Sequence, residues 1–227
     1  MLPYRGFGNR HNILVRGRVV ESYSLASPKP HHSVWVNMLT MLKRYLGYGL
    51  AGMRLQIEFM GMQQEVTTDE QGFFEVWFRL DQPLPDGTNW YQANIRLADM
   101  PEKVFIGEVL LPAKDCEFGV ISDIDDTFLV SHSTDLLRKL WLLLLKNAHT
   151  RLPFDGVSAF YHSLRRGRSG KGHNPVFYVS SSEWNIYDLL QDFCKLQNIP
   201  KGVFLLREMD VSPFRFWKKR RVNHNHK

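Results

Sequence analysis

Hydrophobic and polar positions alternate along the first half of the chain. Leu55, Ile57 and Phe59 alternate with Arg54, Gln56 and Glu58, and Phe74, Val76, Phe78 and Leu80 alternate with Glu75, Trp77 and Arg79. Ala93, Ile95 and Leu97 do the same with Asn94 and Arg96. A period of two with one polar face predicts half-buried antiparallel strands. Residues 13–20 and 104–110 read as further strands, and Asp69-Glu70-Gln71-Gly72 and Pro85-Asp86-Gly87 supply turn chemistry between them. Five strands at this spacing predict an N-terminal antiparallel β-sandwich. A single helix is predicted over 34–45, with Val34, Met38, Met41, Leu42 and Tyr45 on one face.

The pattern changes near residue 116. Short, continuously apolar runs at 118–121, 176–179 and 203–206 are separated by segments of helical period at 136–147, 154–166 and 184–196. Apolar strands joined by helices predict a parallel sheet, so the fold class is α/β: a β-sandwich followed by a Rossmann-like parallel-sheet domain. The boundary is placed at 112–116, giving domains 1–115 and 116–227.

Composition narrows this only a little. The 227 residues are 44% hydrophobic and 23% charged, which excludes disorder and collagen-like repeats. A formal charge of +6 favours phosphate-bearing partners. The two cysteines, Cys116 and Cys194, are far apart and indicate neither a zinc site nor a disulfide framework, so a reducing, cytoplasmic setting is expected. The greasiest run, Leu140 to Leu145, lies between Lys139 and Lys146 and is too short to span a bilayer. Lys218-Lys219-Arg220-Arg221 beside Phe216 and Trp217 reads as a solvated basic face. With no nucleic-acid-binding motif, no nucleic-acid partner is expected. The basic stretch 165–172 lacks the glycine and hydroxyl positions of a phosphate loop and reads as a connection between helix and strand.

The segment that carries chemistry is Ser122-Asp123-Ile124-Asp125-Asp126-Thr127. Three carboxylates in four residues at the carboxyl end of a buried strand repel one another and are costly to desolvate, so folding alone gives no reason for them. Ligand residues gather at that end of a parallel sheet. The spacing suits phosphoryl transfer. Asp123 can attack phosphorus to form an aspartyl-phosphate, and Asp125 can protonate the leaving oxygen and later deprotonate water. Two carboxylates beside a phosphate imply Mg²⁺, held by Asp123 and Asp125. The alternative for Asp126 or Thr127 is a helix cap.

This motif resembles the first motif of the haloacid dehalogenase superfamily, and Phe177-Tyr178-Val179-Ser180 resembles its second. The resemblance implies that Thr127 and Ser180 bind the phosphoryl group. The text from Asn174 through Ser180-Ser181-Ser182-Glu183-Trp184-Asn185 to Leu205-Leu206-Arg207 is similar to the catalytic domain of the actin-patch phosphatidate phosphatase family, with Glu183 where a proline is common. A weaker likeness at Thr68 to Phe74 is to the sandwich preceding that domain in bacterial members. The implied function is hydrolysis of a phosphomonoester, phosphatidate to diacylglycerol, by a protein that contacts membranes peripherally. The two dozen residues after Thr127 are too few for an enclosing cap domain.

Members of that family continue past a His-Lys pair, here His226-Lys227, into a further strand with a last acidic motif. The resemblance makes Lys227 the phosphate-neutralising lysine and implies that the chain is cut before that motif. The expectations are then a fragment of a longer protein or an inactive copy, with little turnover by residues 1–227. Equal turnover with and without an extension would point to Glu183 or Asp188 completing the metal site. Two rival functions stay open: a non-catalytic phospholipid- or protein-binding module, and a phosphatase for a protein or soluble metabolite.

Overall fold

The structure is a computed structural model that describes residues 1–21, 47–81, 89–114, 116–124 and 155–207. The helices expected over 34–45 and 136–147 lie outside the described residues.

The N-terminal strands are β1 (Leu2–Gly8), β2 (Asn12–Arg18), β3 (Arg54–Phe59), β4 (Met62–Thr67), β5 (Phe73–Arg79), β6 (Trp90–Leu97) and β7 (Met100–Leu110). The alternating runs face inward as the pattern predicts: Leu55, Ile57, Phe59, Phe74, Val76, Phe78, Ala93, Ile95 and Leu97 are buried in one apolar core with Ile13, Val15 and Val109. The turn before β5 is built by Asp69, whose Oδ1 accepts from Gln71 N (2.9 Å) and Phe73 N (2.8 Å). Gly72 supplies the positive φ of 83° that this turn needs.

The expected antiparallel sandwich of two facing sheets is not what forms. All seven strands belong to one mixed sheet in the order β4-β3-β6-β7-β1-β2-β5. The cause is β1, which its sequence hides. Pro3, Gly6 and Gly8 break any alternation, yet the strand pairs antiparallel with β2 and parallel with β7. It thereby joins β4-β3-β6-β7 to β2-β5, groups that would otherwise be separate sheets. The twisted sheet curls until its two outer strands meet, with Gln64 Nε2 donating to Trp77 O (3.1 Å), so the barrel is nearly closed around a single interior.

The C-terminal part is a three-stranded parallel sheet with helices: β8 (Val120–Asp123), β9 (Val176–Glu183) and β10 (Val203–Arg207), in the order β10-β9-β8. Helix α1 (Asp155–Arg166) precedes β9, and Gly167, with φ 66°, ends it. A 3₁₀ turn (Trp184–Ile186) leads from β9 into α2 (Tyr187–Leu196). Strand β8 starts two residues later than its apolar run, because Glu117 N and Phe118 N donate to Asn174 Oδ1 instead of to a ladder. It is buried on one side only: Val120 is covered, whereas Ile121 is 75% exposed.

The two parts share a second core. Side chains on the outer face of β1 and β2 pack onto the C-terminal sheet, where Tyr4 joins Tyr178, Trp184, Tyr187, Leu190, Phe193 and Phe204. Arg5 Nη1 donates to Gly202 O (3.0 Å), Arg5 N to Tyr187 Oη (2.8 Å) and Lys201 Nζ to Glu108 Oε1 (2.6 Å). Strand β2 is therefore buried on both faces, and Arg16 and Arg18 lie under protein where the period-two pattern predicts a solvated face.

Candidate active site at the carboxyl end of the parallel sheet

Asp123 is the last residue of β8 and its side chain is exposed at the carboxyl rim of the sheet. It sits opposite Val179 in the β8–β9 register, and Ile124 N donates to Val179 O (2.9 Å), so the ladder holds the strand to its end. Beneath it, Ser122 Oγ is hydrogen bonded to Tyr161 Oη of α1, and Tyr178 Oη donates to Pro200 O (2.7 Å). Burial raises the Tyr178 hydroxyl above its ordinary range, so it stays protonated on this buried face of the sheet.

Ser180 lies one residue beyond Val179 and is 5% exposed. Asp123 and Ser180 thus lie on adjacent parallel strands, toward the carboxyl end of each. The register adds what the sequence did not contain. Leu205 opposes Val179 but Arg207 opposes Glu183, so four residues of β9 are spanned by two of β10. The excess is a bulge comprising Ser180, Ser181 and Ser182, closed by Ser182 N donating to Ser180 Oγ (3.0 Å). Bulges re-aim side chains and backbone groups beside active sites. No hydrophobic pattern signals this one, although a run of three small hydroxyl residues at a strand end is consistent with it.

Glu183 ends the bulge. It is ion-paired with Arg207 (Nη2 to Oε1, 3.6 Å) and accepts from Asn185 Nδ2 (3.3 Å). Asp188 lies in the first turn of α2, near the N-terminal sheet, where it opposes the lowering of the Met1 ammonium pKa by burial and Lys103. The two acidic residues thus serve different surroundings. Asp125, Thr127 and Lys227 lie outside the described residues.

The basic stretch after α1 is at the opposite end of the sheet, before β9 begins. It is held there by Arg168 N donating to Glu117 Oε1 (3.2 Å) and by Asn174 N donating to Arg165 O (2.9 Å). Its reading as a helix-to-strand connection agrees with this position.

Asp123 offers an exposed carboxylate at the rim, a donor type that suits a hard cation. Among the described residues no three His, Cys, Asp or Glu side chains cluster as a metal site, and no helix is long and apolar enough to cross a membrane.

Residues 118–227 match a family model described as phosphatidate phosphatase APP1, catalytic domain. Comparison with the curated proteins gives no match. Among solved structures, a novel carbohydrate acetylesterase from Xanthomonas citri, XAC1771, is similar at a TM-score of 0.30 and 10% identity, over 88% of this chain and 57% of that one. The chain thus spans under two thirds of that protein's length.

Proposed function

With residues 118–227 belonging to the phosphatidate phosphatase APP1 catalytic-domain family, we propose that the chain is a Mg²⁺-dependent phosphomonoesterase whose substrate is phosphatidate, with 1–115 as its supporting domain and 116–227 as a haloacid dehalogenase-type catalytic one. The observation that carries this reading is the placement of Asp123, exposed at the carboxyl end of β8, beside the serine bulge of β9.

In the proposed chemistry a carboxylate oxygen of Asp123 attacks phosphorus, and the bond to the leaving ester oxygen breaks. Asp125 gives that oxygen its proton. Asp125 then takes a proton from water, whose oxygen attacks phosphorus, and inorganic phosphate leaves as the Asp123 carboxylate is restored. Ser180 and Thr127 hydrogen bond the phosphoryl oxygens, and Lys227 neutralises their charge. Asp123 and Asp125 would hold Mg²⁺, which when bound offsets the negative charge that otherwise keeps a carboxylate away from a phosphate. A site without an enclosing cap domain would suit a phosphate presented at a membrane surface, and the +6 charge favours peripheral contact with anionic lipid from the cytoplasmic side.

The test measures phosphate release from phosphatidate in mixed micelles, with Mg²⁺ or excess chelator, for wild type and Asp123→Asn. It uses this chain and any longer natural form that contains it. Metal-dependent release that the variant loses supports the proposal. Equal release by the variant, or release that survives chelation, overturns it. Phosphatidate binding with no release by either folded form favours the non-catalytic module instead.

A further inference from the structure

We propose that Arg16, on β2 of the N-terminal sheet, is a positioning residue for the Ser180–Ser182 bulge and acts through Trp184; the inference rests on the phosphatase reading of that bulge.

A bulge has no ladder of its own, so its shape depends on what fixes its two ends. The near end is Val179, paired with Asp123 on one side and Leu205 on the other. The far end is Glu183, which pairs with Arg207 in the β9–β10 register, and then Trp184. The Glu183–Arg207 ion pair is a weak anchor, because the Arg207 side chain is 61% exposed and exposed pairs contribute little. Trp184 is different. It is 6% exposed and contacts two groups from the N-terminal sheet: the Tyr4 ring stacks on it at 4.5 Å and 21°, and the Arg16 guanidinium sits 4.6 Å from its centroid.

Arg16 is itself fixed from three directions. Nη2 donates to Phe204 O of β10 (2.8 Å), Nε donates to Arg5 O of β1 (3.4 Å), and the Phe7 ring lies 5.6 Å from its carbon on a further side. One planar cation therefore links the backbones of β1 and β10 to the indole that ends the bulge. Only a guanidinium can donate in its plane to two carbonyls while presenting a flat face to a ring; an ammonium offers no such face. Arg16 is 7% exposed, so a desolvated cation of this kind is kept for what it touches. What it touches is the residue that determines where Ser180, Ser181 and Ser182 stand relative to Asp123.

The experiment is a double-mutant cycle on phosphatidate hydrolysis, run beside amide hydrogen exchange, with Arg16→Lys, Ser180→Ala and the pair. Positioning predicts that Arg16→Lys lowers kcat about tenfold with little change in KM. In the Ser180→Ala background the same change should cost less than about twofold. It also predicts faster exchange of amides 180–183 while 176–179 stay protected. Additive losses, or unchanged exchange at 180–183, overturn the proposal even if the wild type is an active phosphatase. Quickened exchange in a protein that releases no phosphate sustains the coupling and removes the phosphatase reading. Should Arg16→Lys not fold, Trp184→Phe, which keeps a ring on Tyr4 but shrinks the surface under the guanidinium, enters the same cycle.

Discussion

Gly202→Ala tests the packing that sets the distance between β9 and β10. Gly202 lies just before β10, and a Cβ built on it would be 2.6 Å from Cε2 of Tyr178 and 2.6 Å from Val176 O. Both are roughly 1 Å short of ordinary contact, where repulsion rises steeply. Neither neighbour can yield cheaply. The Tyr178 ring is fully buried and its hydroxyl is tied to Pro200 O, while Val176 begins the strand that pairs with both β8 and β10. Gly202 cannot move away either, because Arg5 Nη1 holds its carbonyl from the N-terminal sheet (3.0 Å). Two rigid overlaps place the cost at the upper end of overpacking, about 3 kcal/mol. For a chain of this length that lowers Tm by roughly 6–12 °C. The assay is urea unfolding followed by tryptophan fluorescence, beside a thermal scan by circular dichroism. Gly119→Ala is the control, since a Cβ there meets nothing within 4 Å, and a change within about 0.5 kcal/mol is expected. A Gly202→Ala protein as stable as wild type would refute this close packing of Gly202 on Tyr178 and Val176.

Stability should also fall on the alkaline side. Burial raises the Tyr4, Tyr178 and Tyr187 hydroxyls above their ordinary value of 10.0 and pushes the Cys194 thiol up to about 12 from 9.0. The folded chain keeps protons that the unfolded chain releases, so this stability is full below pH 9 and declines above it. Each group adds a slope of about 1.4 kcal/mol per pH unit beyond its unfolded value. Urea midpoints from pH 8 to 10.5 measure this, and Tyr178→Phe should flatten the decline; a level profile for the wild type would refute it. A thiol reagent should label the half-exposed Cys116 in the native protein and Cys194 only on unfolding, so rapid native labelling of both would place Cys194 wrongly. Thr68→Val should cost about 1–3 kcal/mol, because Thr68 Oγ1 donates to Leu50 O (2.6 Å) and accepts from Met53 N (2.9 Å); an unchanged urea midpoint would contradict that pairing.

Local pattern determined most of the elements and the end of the parallel sheet at which the acidic and serine runs lie. Leu55, Ile57 and Phe59, or Phe74, Val76 and Phe78, can be inward only if the chain is a strand, because period two is a property of the backbone itself. The acidic run that begins at the last residue of β8 and the serines in the last half of β9 are legible for a related reason: a strand's direction is carried in its sequence, and two parallel strands bring their carboxyl ends together. Pairing between distant strands is another matter. Strand β1 carries no alternation and β4, with Gln63, Gln64 and Glu65 exposed, buries too little to announce itself. Their partners, and hence the single curled sheet in place of a sandwich, were decided by tertiary contacts between segments as distant as β1 and β7. The bulge at Ser180 exists only relative to β10, and no single strand can encode a mismatch in count with its neighbour. Arg16 and Arg18 show the limit most clearly. In the sequence they complete a polar face, and in the fold that face meets the C-terminal sheet, because burial is a property of what comes to lie opposite a residue and not of the residue alone.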